Sequence, residues 1–431
     1  LQELILSFSA DLSNTGLSNT GLSNTALSNN SERDRELDLL AHRSHFPALE
    51  SRTYFNYGGQ GVMCRAALEA ITKNFYHIEA LGCFSNAAGD WMIGEYGKTK
   101  AAIAQEFQVS PTTITLTENT TVGCNIALWA VDWQQGDRLL LSDCEHPGII
   151  AGATQLQKRF GIEIDYFPLT NTRNANANNS EAVVNLLVQH LQPKTRMVML
   201  SHICWNTGQV LPLKAIAKAC HELHILVAVD AAQSVGVLPL NLDDIAADFY
   251  AFTTHKWWCA PLGLGALYIR PEIFDQIEPV FVGWRGLTSQ TPIPQWRQDG
   301  AKFEVASSSY ALYESLRIAI AEANTWGTQQ QRYDRICQLS RILWQQLDDL
   351  PHVSCIRQLP PESGLVSFKI VKEPFKSAIA QQSHALIAKQ LELEHQIFIR
   401  ALPDPDCLRA SVHYLTTVSD IDRLVSIIKH L

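Results

Sequence analysis

The chain has no cysteine pair spaced C-x-x-C: its ten cysteines are scattered from Cys64 to Cys407. Neither a zinc site nor a disulfide framework is indicated, and the dispersal suits small buried hydrophobes in a reducing compartment. No apolar run approaches the ~18 residues of a membrane span. The first residues carry no basic stretch ahead of their short apolar run, which argues against a secretory signal. Nor is there an excess of basic charge. Lysine and arginine number 34 against 43 aspartates and glutamates, a net charge of −9, which offers no basic face to nucleic acid. That balance still allows a local basic pocket for one small phosphate. The expectation is a cytoplasmic protein with no metal, nucleic-acid or membrane partner.

Its 431 residues, 46% hydrophobic and 18% charged, suffice for two domains with sizeable cores. Residues 11–30 repeat Leu-Ser-Asn-Thr-Gly with small changes. One leucine per five residues cannot build a core, so residues 1–33 read as a disordered low-complexity leader. Residues 34–60 read as an N-terminal segment joining a small domain, with a helical pattern at 36–40 and a short strand breaking into a glycine-rich loop at 53–61. Helical patterns follow at 65–79 and 92–107. Short apolar runs then predict strands at 113–116, 138–142, 162–167, 197–202, 225–230 and 249–253, with an antiparallel addition at 264–269. Near-continuous apolar strands separated by helices imply an α/β fold with a mostly parallel seven-stranded sheet covered on both faces. This large domain takes in residues 61–310. Residues 171–180 read as a polar surface loop. One long helical stretch, 310–350, leads into a small α+β domain with strands at 364–370, 396–401 and 408–411, so that 311–431 holds the linking helix and small domain.

The chemistry concentrates at predicted strand ends, where open α/β sheets bind ligands. Lys256 follows a buried run and sits beside Thr253, Thr254, His255 and two tryptophans. Such crowding lowers an amine's pKa and favours Schiff-base formation, and the hydroxyls and imidazole can hydrogen-bond a phosphate. Asp230 closes the apolar run 225–229, where a carboxylate needs either a cationic partner or a capping role; Gln233 lies three residues on. A lysine and an aspartate in this relation suit pyridoxal 5'-phosphate, whose protonated ring nitrogen makes it an electron sink. Thr120 and Thr121 open a helix, which fits an ordinary N-terminus or an anion site. His146 follows a strand, where it fits a surface loop or stacking on a flat ring. Asn206, before Thr207-Gly208, fits a turn or an amide directed at an exocyclic oxygen.

Taken in order, these five segments resemble the class V aminotransferase family of fold type I pyridoxal-phosphate enzymes, which includes cysteine desulfurases, over roughly residues 50–430. The family's D-x-x-Q matches Asp230 and Gln233, and its [ST]-x-H-K matches Thr253, His255 and Lys256. The resemblance implies a fold type I transferase in which Lys256 holds the cofactor covalently and Asp230 pairs with the pyridine nitrogen. It further implies that Gln233 and Asn206 contact the phenolic oxygen, that His146 stacks on the ring, and that Thr120, Thr121, Thr253 and His255 bind the phosphate. A phosphate contact contributed across a homodimer interface would fall on Ser307, where Ala306-Ser307 replaces the family's Gly-Thr. Arg409, in an R-x-S-x-x-x-Y-x-T match, would clamp the substrate α-carboxylate, with Arg400 as a second guanidinium.

Cysteine desulfurases carry a nucleophilic cysteine on a flexible loop before that arginine. Here the stretch reads Arg400-Ala-Leu-Pro-Asp-Pro-Asp-Cys407-Leu-Arg409. Two prolines stiffen it, and Cys407 is two residues from Arg409, so Cys407 is not expected to be a nucleophile. The resemblance then favours the family's cyst(e)ine C–S lyase branch, acting on a small amino acid and releasing pyruvate, ammonia and a persulfide or sulfide. An iron–sulfur apoprotein or other sulfur acceptor is the implied downstream partner. Cysteine desulfurase, aminotransferase and amino-acid epimerase remain open alternatives.

Overall fold

The computed structural model describes residues 38–174, 180–289, 295–371 and 383–431. The leader repeat and residues 175–179 of the polar loop lie outside the described residues. Residues 44–431 form one compact unit; a second, Leu1–Arg43, is described only at 38–43, where it is helical.

The larger sheet has seven strands: β1 (Ile114–Thr117), β2 (Arg138–Ser142), β3 (Glu163–Phe167), β4 (Thr195–Ser201), β5 (Leu226–Asp230), β6 (Phe249–Thr253) and β7 (Gly265–Ile269). Their spatial order is β1-β7-β6-β5-β4-β2-β3, and only β7 runs antiparallel to its neighbours. The apolar runs are strands because both faces are buried. Met197 and Met199 join one core cluster while Val198 and Leu200 join the other, the two-residue alternation of a strand covered on both sides. Helices α1 (Arg65–Leu81), α2 (Asn86–Phe107), α3 (Thr120–Trp129), α4 (Pro147–Phe160), α5 (Glu181–His190) and α6 (Leu213–His221) belong to the same half of the chain. Helix α2 begins six residues before the expected 92 because the Ser85 hydroxyl accepts from Ala88 N and caps it.

The expected single helix over 310–350 is two helices, α7 (Tyr313–Trp326) and α8 (Gln329–Asp348). The break at Gly327-Thr328 is a capping box: Thr328 accepts from Gln331 N, and the Gln331 side chain returns to Thr328 N. Beyond it, β8 (Val353–Cys355), β9 (Leu365–Ile370), β10 (Arg400–Pro403) and β11 (Asp406–Ser411) form an antiparallel sheet in the order β8-β9-β11-β10. Its core includes Leu343 and Leu347 of α8, Ile387 and Leu391 of α9 (His384–His395), and Ile421 and Leu424 of α10 (Val418–Ile428). The expected strand 396–401 is divided. Ile397–Phe398 pairs in parallel with Thr53–Tyr54, and Asn56 bridges Ser411. Among the described residues no helix is long and apolar enough to cross a membrane.

Candidate active site

The carboxyl ends of β1, β4, β5 and β6, the connection that follows β2 and the start of α3 converge on a cavity of about 1010 Å³. Thr120, Thr121, His146, Asp230, Gln233, Thr253, His255, Lys256 and Ser307 all line it. Asn206, Arg400 and Arg409 do not belong to the wall itself. The glycine-rich loop closes over this floor. A side chain on Gly61 would lie 2.0 Å from the Lys256 carbonyl, and one on Gly58 would crowd Arg409, Ser411 and Gln233, so the backbone can approach only as glycine.

Burial lowers the Lys256 amine to about 8, with Arg409 and Arg400 adding to the effect and Asp230 opposing it. Such an amine can be neutral near physiological pH. Asp230 is 8% exposed and accepts from Ala232 N at 2.9 Å, so one oxygen is fixed by its own turn. His146 caps α4, its Nδ1 accepting from Gly148 N at 3.1 Å, and lies edge-on to Trp205 with ring centroids 5.7 Å apart. Burial holds its imidazole below the usual range, with Lys256 and Arg409 adding to this and Asp230 opposing. The ring at the cavity wall is therefore neutral.

At the other end, Asn119 Oδ1 caps α3 by accepting from Val122 N at 3.0 Å, while the Thr120 hydroxyl is buried without a partner. Thr253 Oγ1 lies 2.6 Å from His255 Nδ1. Burial, with Lys256 beside it, lowers His255 to about 4. Thr254, expected to share in phosphate binding, is turned away: its hydroxyl donates to the carbonyls of Pro261 and Leu264. Gln233 is largely committed, donating to Gly58 O and accepting from Trp257 Nε1, each at 2.9 Å, which leaves one amide N–H for a ligand.

Arg409 is 3% exposed and donates to Trp205 O at 2.7 Å, and Arg400 stands opposite it across the β10–β11 pair. Burial and the neighbouring Arg400 lower Arg409 to about 10. Neither guanidinium has an ion-pair partner among the described residues. Two residues near the site carried no sequence signal of their own, Trp205 and the buried Glu145. Each is contiguous with a recognised position, but its role depends on contacts distant in sequence.

Thr120 Oγ1, Trp205 Nε1, Asn206 Oδ1 and Arg409 Nε are buried without hydrogen-bond partners among the described residues. Buried polar atoms are normally paired, so this set is built for a ligand. A depressed amine, a carboxylate, a neutral flat ring and donors at a helix start fit pyridoxal phosphate. Lys256 would hold its carbonyl carbon, Asp230 its pyridine nitrogen, and Thr120, Thr121, Thr253 and His255 its phosphate.

Known proteins resemble this chain over most of the described fold. Residues 53–424 match the class-V aminotransferase family model. The chain is 27% identical to a cysteine desulfurase of Haloferax volcanii over 60% of its own length and 59% of that protein's. It is 28% identical to an isopenicillin N epimerase of Streptomyces clavuligerus, over 53% of this chain and 56% of that one. The alignments thus span little more than half of these curated relatives. Among solved structures, the cystine C–S lyase C-DES in complex with cysteine persulfide superposes with a TM-score of 0.83 at 43% identity, over 89% of this chain and 99% of that one. A lysine-to-alanine mutant of C-DES, with glycine linked covalently to its pyridoxal-phosphate cofactor, matches at the same TM-score and identity over 90% and 98%. The cofactor is pyridoxal phosphate, and the chain belongs to the class-V aminotransferase family.

Proposed function

We propose that this enzyme cleaves the C–S bond of L-cystine or L-cysteine by β-elimination. The observation that carries the reading is the β10–β11 hairpin. Pro403 pairs with Asp406 and Arg400 with Arg409, leaving a two-residue turn where a persulfide-carrying loop would have to move. Cys407 is fully buried in that hairpin, and burial pushes its thiol up to about 12, so almost no thiolate exists near neutral pH. Similarity to a cystine C–S lyase at 43% identity supports the same choice.

Pyridoxal phosphate, when bound, supplies an electron sink for the pair left when a Cα proton is removed. Arg409 binds the α-carboxylate as a fixed, desolvated guanidinium, and Arg400 beside it suits the second carboxylate of cystine. Lys256, depressed to about 8, takes the Cα proton as a base matched to neutral pH. Asp230 would hold a proton on the pyridine nitrogen, and His146 would offer a neutral imidazole beside the ring without adding charge. Overall, cystine and one water give pyruvate, ammonia and cysteine persulfide, with no external oxidant or reductant. A persulfide is a ready sulfur donor, and an iron–sulfur apoprotein in the cytoplasm is the acceptor we propose. The enzyme is proposed to be a homodimer, with Ser307 at the shared rim of the sites.

The test is product analysis. Purified holoenzyme given L-cystine should form pyruvate, ammonia and sulfane sulfur in equal amounts. Alanine in place of pyruvate would return the protein to the desulfurases. A new amino acid formed from an added keto acid would make it an aminotransferase.

A further inference from the structure

The connection between β2 and α4 holds a carboxyl group that this chemistry leaves unused. Glu145 is 7% exposed, and among the described residues it forms no ion pair with lysine, arginine or histidine. Its partners are two serines: Oε1 lies 2.5 Å from Ser142 Oγ and Oε2 lies 2.8 Å from Ser201 Oγ. Those serines close β2 and β4, which are neighbours in the sheet. Ser142 Oγ also accepts from Cys144 N at 3.1 Å, so it can give its own hydrogen to the carboxyl group. Ser201 is the residue paired with Asp230 across the β4–β5 ladder. On its other side, Glu145 is covalently joined to His146.

A buried carboxyl without a cation is costly unless it is neutral or fully hydrogen-bonded. Burial pushes Glu145 up to about 7; the two serines oppose this, and the charge of Asp230 adds to it. In the same connection lie Asp143, whose carboxylate holds Thr170, and His146, which burial keeps neutral; the thiols of Cys124 and Cys144 nearby are held far above neutrality by their surroundings. Asp230 is the charge that raises Glu145 further. A neutral or shared proton on Glu145 keeps a second full negative charge from Asp230 and preserves the bridge between strand ends.

We propose that Glu145 is a positioning residue for the chemistry at Lys256: by bridging Ser142 and Ser201 it fixes the connection that presents His146 and ties it to the strand position paired with Asp230. The proposal rests on His146 and Asp230 contacting the pyridoxal ring. It does not depend on which amino acid is the substrate.

The experiment compares holoenzyme carrying the native glutamate, Glu145→Ala and Glu145→Gln. It reads the visible circular dichroism of the bound cofactor, the cofactor dissociation constant, and the pH profile of pyruvate release from L-cystine. Glu145→Ala should change the dichroic band and weaken cofactor binding by about 10-fold, as expected when buried hydroxyls lose their partner. Glu145→Gln should recover the band and affinity, because its amide can bridge the same hydroxyls, and its pH profile should keep the inflection near 8 that Lys256 sets. A native band and affinity in Glu145→Ala would overturn the proposal, as would a Glu145→Gln enzyme as defective as the alanine variant. Should Glu145→Ala fail to fold, Ser201→Ala removes half the bridge and must move the band in the same direction; an unchanged band overturns the idea. Dichroism that follows this pattern in an enzyme releasing no pyruvate would refute the lyase reading and leave Glu145 in place.

Discussion

At the residue scale, the site turns on how far burial shifts a few groups. Lys256 sits at about 8 instead of 10.5. Only the neutral amine reacts with the cofactor's aldehyde, and the neutral fraction rises as pH climbs toward that value. The rate at which stripped enzyme captures pyridoxal phosphate should therefore increase about tenfold per pH unit below about 8 and level off above it. A rate still climbing toward pH 10 would show an unperturbed lysine. Borohydride reduction of the loaded enzyme followed by peptide mapping should place the cofactor on Lys256. Asp230→Asn should keep bound cofactor yet lose roughly 100-fold in turnover, the usual scale for losing control of one proton. Turnover within a few-fold of the native enzyme would remove Asp230 from its assigned role.

At the element scale, the β10–β11 hairpin decides between reaction types. Cys407→Ser should leave pyruvate formation from cystine nearly intact. Arg409→Ala, in contrast, removes a buried guanidinium from the proposed carboxylate contact, and KM should rise by the equivalent of about 2–5 kcal/mol. A dead Cys407→Ser enzyme with normal cofactor loading would reverse the assignment. The large-sheet strands were legible because strands covered on both faces are near-continuous apolar runs. The division of residues 396–401 was not, since the partner of Ile397–Phe398 is Thr53–Tyr54, far away in sequence. The break between α7 and α8 was missed although Gly327 and the Thr328-Gln-Gln-Gln331 capping box mark it locally.

At the scale of the whole molecule, Phe281 is 80% exposed and Trp284 56% exposed in the segment leading to the cavity rim, with Val280, Val282 and Val305 also exposed. A patch of this kind marks an interaction surface, in keeping with a homodimer. Sedimentation at assay concentration should give a dimer, and an active monomer would contradict it. Acid should also weaken the fold through His202, which burial lowers to about 3 and whose Nδ1 lies 2.8 Å from the Tyr250 hydroxyl. The unfolded chain binds this proton near 6.5 and the folded chain near 3, so this stability is full above about 6.5 and is lost as pH falls toward 3. Denaturant melts at pH 7 and pH 4.5 should show the loss, and His202→Asn should flatten it.

The sequence by itself determined the fold class and the parallel sheet, and it singled out Lys256 and Asp230 as the proposed cofactor residues, because each rests on local pattern: apolar runs, helix starts and short motifs beside strand ends. Tertiary structure alone decided which side chains meet. It turned Thr254 away from the cavity, committed most of Gln233 to Gly58 and Trp257, set Arg400 across from Arg409, and buried Glu145 between the ends of β2 and β4. The physical reason is that hydrogen-bond partners and burial depend on strand order and register, which bring together residues tens to hundreds of positions apart, whereas composition and spacing report only what each segment can do alone.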